Sequence, residues 1–263
     1  MLKMSPNVDS TGTRASLTND YVRDYYNSYL EKNVKTYRDA RWFSSEPARF
    51  DYEQTKRSIL AALGNDRFAT ALEVGPGDGA WTPFFVERSG SLTLLEQSDQ
   101  MKQRVEQLIK EKGFSNVSVV RGSFTKDAPS QTYDLIASIR AFEYFEDKPL
   151  ALRAFASLLA SGGRLIIVTK DPRYITLRGK PKRTLHDGQV TPAEFIRMAN
   201  AAGLCVENYY PATMRWKSSV GLSRIFFHML HRLVVSLKTG MVAPLFAQYA
   251  SESYLYILTK VSD

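Results

Sequence analysis

A chain of 263 residues, 44% hydrophobic and 24% charged, can bury one good core, and its composition excludes extensive disorder beyond the ends. Its net charge of +8 and pI near 9.4 favour an anionic partner, whether nucleic acid, an anionic membrane or a phosphorylated substrate; a generic basic surface is the alternative. The single Cys205 excludes an internal disulfide and suggests no metal site, and the start lacks a signal peptide's apolar segment. No uninterrupted apolar run of about 18 residues occurs, so a cytoplasmic protein without a spanning helix is expected.

Residues 1–18 are polar and rich in Ser, Thr and Asn and read as a flexible tail. From Asn19 to about residue 67 the pattern is helical, with Val22, Tyr25, Tyr26, Tyr29 and Leu30 recurring at three- and four-residue steps. A second helix ends with Ile59, Leu60 and Leu63 before Gly64-Asn65. This is an N-terminal helical cap. Tyr25, Tyr26 and Tyr29 form either a lid over a ligand or only the buried face of the first helix.

From 68 to 263 strands alternate with helices, the pattern of a parallel sheet. Strands are expected at Ala69–Val74, Leu92–Glu96, Val117–Val120, Asp134–Ser138, Leu165–Thr169, Leu204–Tyr209 and Tyr254–Leu258. Helices are expected from Trp81 to Arg88, around Met101, Val105 and Leu108, and around Leu150, Phe155, Leu158 and Leu159 up to Ser161-Gly162-Gly163. Thr191, Pro192 and Glu194 form a capping box that opens another, which ends at Gly203. The expectation is a Rossmann-like α/β fold, with a seven-stranded, mostly parallel sheet and helices on both faces.

The segment 212–252 before the last strand is far longer than a hairpin needs. In its middle, Leu222, Phe226, Met229 and Leu233 form one stripe, and Arg224, His228, His231 and Lys238 lie roughly opposite. A lid, a homodimer interface and a membrane-surface helix over 218–238 all fit.

The chemistry concentrates at Leu72-Glu73-Val74-Gly75-Pro76-Gly77-Asp78-Gly79, which leaves a buried strand and enters a helix. Glycines let backbone approach a ligand, and the helix start offers unpaired N–H groups. Dinucleotide enzymes use a related loop. Glu73, two residues before the first glycine, would oppose a diphosphate but suits a cationic ligand. Asp78 is either a helix cap or a ligand contact. Glu96, 17 positions beyond Gly79, can accept hydrogen bonds from both hydroxyls of a ribose.

These residues resemble class I S-adenosylmethionine-dependent methyltransferases. Glu73 to Gly79 resemble that family's E-x-G-x-G-x-G motif, and Glu96 its acidic residue after the second strand. Gly122-Ser123-Phe124 fall where the family usually has an Asp that holds the adenine amine. Tyr133 to Ile136 and Leu159 to Leu165 resemble its fourth and fifth strands. The resemblance implies S-adenosyl-L-methionine as cofactor, held by Glu73, Gly75, Gly77, Asp78, Gly79, Glu96, Gln97, Ser123 and Phe124. A nicotinamide oxidoreductase and a non-catalytic cofactor-binding protein are the alternatives from other classes.

Ser138 to Phe145 resemble the matching stretch of ubiquinone-pathway O-methyltransferases. Glu143 matches a Glu there, Tyr144 replaces a His, and Arg140 replaces an acidic residue thought to help hold a metal, which argues against a metal here. Arg140 either holds an anionic substrate or pairs with Glu143. His186, in Leu185-His186-Asp187, resembles a loop residue of the same enzymes and is either a general base or an exposed loop histidine. The catalytic candidates are thus Glu143, His186 and Arg140.

Two basic clusters, Arg173, Arg178, Lys180, Lys182 and Arg183, then Arg215 and Lys217, fall near the expected acceptor rim. They suggest a small-molecule, lipid-like or lipid-linked anionic acceptor and peripheral membrane contact. An RNA methyltransferase is the competing reading, weakened because Ser138-Ile139-Arg140-Ala141 stands where base-methylating enzymes carry an Asn- or Asp-Pro-Pro-aromatic motif.

Overall fold

The structure, a computed structural model, describes residues 16–31, 37–177, 184–215, 221–237 and 250–261. Seven strands form one sheet: β1 (Phe68–Val74), β2 (Ser89–Glu96), β3 (Val117–Arg121), β4 (Tyr133–Ile139), β5 (Leu159–Lys170), β6 (Leu204–Met214) and β7 (Ser251–Lys260). Their spatial order is β3-β2-β1-β4-β5-β7-β6. The first five strands run parallel, and β7 pairs antiparallel with both β5 and β6. The expected Rossmann-like α/β fold is present.

Side chains alternate between two cores. Ala71, Leu135, Ala137, Ile166 and Val168 point to one face. Leu72, Val74, Ile136, Leu165 and Ile167 point to the other. That period of two is why the central strands read as continuous apolar runs. The first face is covered by α2 (Glu46–Leu63), α3 (Thr82–Val86) and α4 (Asp99–Lys112), through Ile59, Leu63, Phe85 and Val105. The second is covered by α5 (Lys148–Leu158) and α7 (Pro192–Ala201), through Leu152, Phe155, Phe195 and Ala199. The capping box is formed: Thr191 Oγ1 accepts from the Glu194 amide, and Glu194 accepts from the Thr191 amide at 2.8 Å.

Several boundaries differ from the sequence expectation. Helix α5 stops at Leu158, not at Ser161-Gly162-Gly163, because Leu159 already pairs with Tyr133 across a bulge before Leu135. Strand β6 runs five residues beyond Tyr209, so the insertion begins after Met214. Gln54 of α2 supports this extension by donating to the Met214 carbonyl at 3.1 Å and accepting its amide at 2.6 Å. A side chain supplies the ladder bonds that an edge strand lacks.

The N-terminal cap consists of α1 (Asn19–Glu31), a wide helical turn at Asp39–Phe43, and α2. Residues 1–15 of the expected tail lie outside the described residues. So do Val220 and Lys238 of the insertion and Arg178, Lys180, Lys182, Arg183 and Lys217 of the basic clusters. Two short elements follow β5, α6 (Pro172–Leu177) and a turn at Thr184–His186. The insertion contributes α8 (Gly221–Ser236), which packs on α2 and β6. Among the described residues, no helix is long and apolar enough to cross a membrane.

Candidate active site

A cavity of about 380 Å³ opens at the C-terminal ends of β1, β2, β4 and β5. Parallel strands deliver loops and helix N-termini to that edge, which is where open α/β sheets bind ligands. The loop after β1 turns on glycines in the left-handed region, with φ of 70° at Gly75 and 61° at Gly77. A Cβ on Gly75 would lie 2.6 Å from that of Ala141 in the loop after β4. Gly75 is therefore required both by its torsion and by the close approach of the two loops.

Glu96 fastens this loop to the end of β2. One carboxylate oxygen accepts the Gly77 amide at 3.0 Å, and the other accepts the Ser98 amide at 2.9 Å. A carboxylate offers about four acceptor sites, so Glu96 keeps capacity for ribose hydroxyls. Glu96, Gln97, Gly75, Gly77 and Asp78 all line the cavity, as do Ser123 and Phe124. Phe124 and Met101 are buried there and supply apolar surface for a base. Asp127, not singled out from the sequence, accepts the Ser123 amide at 2.8 Å and holds that turn.

Glu73 and Gly79 are not among the described residues that line the cavity. Glu73 is 1% exposed and accepts a hydrogen bond from Thr82 Oγ1 at 2.7 Å, at the start of α3. Burial pushes its carboxyl up to about 8. In the structure this carboxylate lies beneath the loop, against the start of α3. Gly79 serves packing, since a Cβ there would lie 2.5 Å from Leu108. Asp78 accepts the Arg38 amide at 2.6 Å, which ties the N-terminal cap to the glycine loop, while burial raises its carboxyl.

The cap forms one wall. Tyr25, Tyr26, Tyr29 and Tyr37 all line the cavity. Tyr26 meets Tyr37 and Tyr144 edge-on, with ring centroids 5.6 and 5.7 Å apart. Asn27 Oδ1 accepts from Ser98 Oγ at 2.7 Å, which docks α1 against the start of α4.

Beside the tyrosines the lining is cationic. Arg140 directly follows β4 with a φ of 65°, the one non-glycine positive value among the described residues. Such strain persists only where surrounding structure holds it. Its Nε donates to Glu143 at 3.2 Å, and Glu143 also accepts from Thr169 at 3.2 Å. Glu143 is 1% exposed and does not line the cavity, so it orients Arg140 from behind. Arg140 Nη1 is buried and has no hydrogen-bond partner. Burial works to lower the Arg140 pKa, but Glu143 and Glu252 hold it above the ordinary value.

Lys170, at the end of β5, lies 3.4 Å from Glu252 and lines the same cavity. Burial, reinforced by Arg140, lowers its ammonium to about 8. Arg41 joins them, 4.2 Å over the Trp42 ring. Behind this wall Arg215 pairs with Asp51 and Glu252. Four cations thus meet three carboxylates. Neither Lys170 nor Arg41 was selected from the sequence: Lys170 lies one residue beyond the expected end of its strand, and Arg41 comes from a turn with no motif. Of the expected basic clusters, the described members Arg173 and Arg215 are engaged in ion pairs. His186 lines the cavity beside Gln189, on the turn that follows α6.

A methyltransferase-domain family model matches residues 48–215, which contain the glycine loop, Glu96 and both cationic strand ends. The chain belongs to the class I S-adenosylmethionine-dependent methyltransferases. It is 29% identical over 118 residues to an uncharacterized methyltransferase of Alkaliphilus oremlandii, covering 44% of this chain and 52% of that protein. It is 34% identical over 103 residues to a ubiquinone biosynthesis O-methyltransferase of Aeromonas salmonicida, covering 32% of this chain and 43% of that protein. The chain thus spans about half or less of the length of these relatives. Among solved structures, the N-methyltransferase NodS of Bradyrhizobium japonicum in complex with S-adenosyl-L-homocysteine superposes with a TM-score of 0.61 at 17% identity. That match covers 90% of this chain and 99% of the other, and it shows the shared methyltransferase fold.

The residues present fit the family's cofactor. The Gly75–Gly77 turn, Glu96 with its spare lone pairs, and the Phe124–Met101 surface would hold its amino-acid, ribose and adenine parts. Bound there, the cofactor supplies a methyl group already activated by a positive sulfur. Among the described residues, no group of three His, Cys, Asp or Glu side chains is placed to hold a metal ion.

Proposed function

We propose that this protein transfers a methyl group from S-adenosyl-L-methionine to an oxygen of a small, anionic, lipid-like or lipid-linked acceptor. One observation carries the reading: Arg41, Arg140 and Lys170 converge on a tyrosine-lined cavity that also contains the cofactor loop. A buried guanidinium nitrogen without a partner costs roughly 1–3 kcal/mol or more, because it has lost its water. A carboxylate or phosphate ester recovers that cost and matches the excess of cations. The tyrosine wall suits an apolar or aromatic body attached to that anion.

Methyl transfer needs an aligned nucleophile more than a strong acid, since the electrophile is already activated. In this reading the anion fixes one end of the acceptor, and the cap closes over its body. His186 lines the cavity and is the candidate to accept a hydroxyl proton, while Lys170 serves as a cation for the acceptor's anion. Glu143 acts through Arg140 and is a positioning residue. A tyrosine-lined cavity of about 380 Å³ suits a small acceptor better than nucleic acid.

Labelled S-adenosylmethionine with a panel of aromatic and long-chain carboxylates, phosphate monoesters, their neutral esters, and amines tests this. Label is expected on the anionic acceptors, with KM raised at least tenfold in Arg140→Gln and kcat much less changed. Equal labelling of neutral analogues, or an unchanged KM in Arg140→Gln, overturns it.

A further inference from the structure

We infer that the outer face of α8 docks on an anionic lipid surface. This goes beyond the acceptor reading and rests on a different face of the molecule. An ordinary surface helix buries one apolar side and exposes its polar one; α8 packs Val235, Phe227, Leu230 and Val234 inward but also turns polar side chains inward and leaves a second apolar strip outside. Here Arg224 turns inward to Glu46 at 3.2 Å. His228 contacts Arg57 at 3.0 Å. His231 is fully buried against Ser58 and the Pro211 carbonyl.

The outward face is apolar. Ile225, Phe226, Met229 and Leu233, with Leu237 just beyond the helix, are 54–65% exposed. They are five of the eight large hydrophobic residues exposed among the described residues. At 100° per residue they fall within one third of the helix circumference, so they form one strip rather than scattered contacts. None of them lines the cofactor cavity.

Charge selects the occupant. No Asp or Glu occurs between Glu207 and Glu252, whereas Arg215, Lys217, Arg224, Arg232 and Lys238 all fall there. Arg232 is exposed beside the strip. An apolar strip flanked by exposed Arg232, on a stretch of sequence without an acid of its own, matches the interfacial layer of an anionic bilayer, with acyl chains below and phosphates beside it. A two-fold contact between copies would bring this acid-free segment against itself and place like charges together.

The test is cosedimentation of the full chain with vesicles of one part phosphatidylglycerol to two parts phosphatidylcholine, and with phosphatidylcholine alone. Phe226→Glu/Met229→Glu is compared with wild type, and S-adenosylhomocysteine titration of each reports the fold. Wild type is expected to bind the anionic vesicles at least tenfold more tightly than either the neutral vesicles or the double variant does. The double variant should keep the affinity for S-adenosylhomocysteine; if it does not fold, Leu233→Ser, also at an exposed position, replaces it. Wild type that fails to bind, equal binding by the variant, or equal binding to neutral vesicles overturns the inference. So does a dimer in sedimentation equilibrium that the same variant dissolves without any vesicle binding. Vesicle binding by a wild type that takes no S-adenosylhomocysteine would overturn only the cofactor reading.

Discussion

Replacing Glu73 by Gln separates two roles for the residue before the glycine loop. In the structure Glu73 is 1% exposed, contacts Thr82, and has its carboxyl pushed up from 4.5 to about 8, chiefly by burial. A folded-state value above the unfolded one means that the contribution to stability is fully present below about pH 4.5. It is lost as the pH rises through about 8. The difference between 4.5 and about 8 corresponds to at most about 5 kcal/mol between those limits. Gln keeps an oxygen that can accept from Thr82 and has nothing to titrate. The stability of Glu73→Gln relative to wild type should therefore increase by about 2–5 kcal/mol between pH 5 and pH 8.5. That is a Tm difference on the order of 5–10 °C for a domain of this size. Urea melts at fixed ionic strength at both pH values measure it, with S-adenosylhomocysteine affinity measured alongside. Parallel stability profiles, together with a tenfold or greater loss of affinity, would refute the buried prop and return Glu73 to ligand contact.

Glu96→Ala strands the Gly77 and Ser98 amides, and calorimetry should show at least a tenfold loss of S-adenosylhomocysteine affinity, about 1.4 kcal/mol or more. Gly75→Ala meets both a φ of 70° and the Ala141 side chain; a loss of about 2–4 kcal/mol is expected in denaturant melts. Lys170, lowered to about 8, carries its charge below that pH and loses it above. KM for an anionic acceptor should therefore climb as pH rises through about 8, and Lys170→Arg should flatten the profile. His231 is lowered to about 3 by burial and by Arg57, so its contribution is present above about pH 6.5 and fades as pH falls. At pH 5 this costs about 2 kcal/mol, and limited proteolysis should cut around α8 faster there than at pH 7.5, less so in His231→Gln.

Local chemistry made much of the architecture legible. The alternation of strands and helices, the capping box at Thr191 and Glu194, and the helical repeat of the cap depend on periodicities and hydrogen bonds within a few residues. The glycine loop was visible because positive φ and close backbone approach restrict what can stand at Gly75 and Gly77. Strand ends were less legible: the extension of β6 to Met214 depends on Gln54, 160 positions away.

The roles of individual side chains were decided by tertiary structure. Glu73 and Glu96 look alike in sequence, both acidic and both within one residue of a strand's C-terminal end. One is sealed beneath the loop, and the other is held at the cavity by two amides, because only packing determines which carboxylate meets water. Arg41, Arg140 and Lys170 are separated by up to 129 positions and share no motif, yet two strand ends and a turn bring them to one cavity. The two stripes of α8 were visible from helical spacing. Which stripe faces water depended on Arg57, Ser58 and Glu46 of α2, since a histidine or arginine turns inward only where a partner offsets its desolvation.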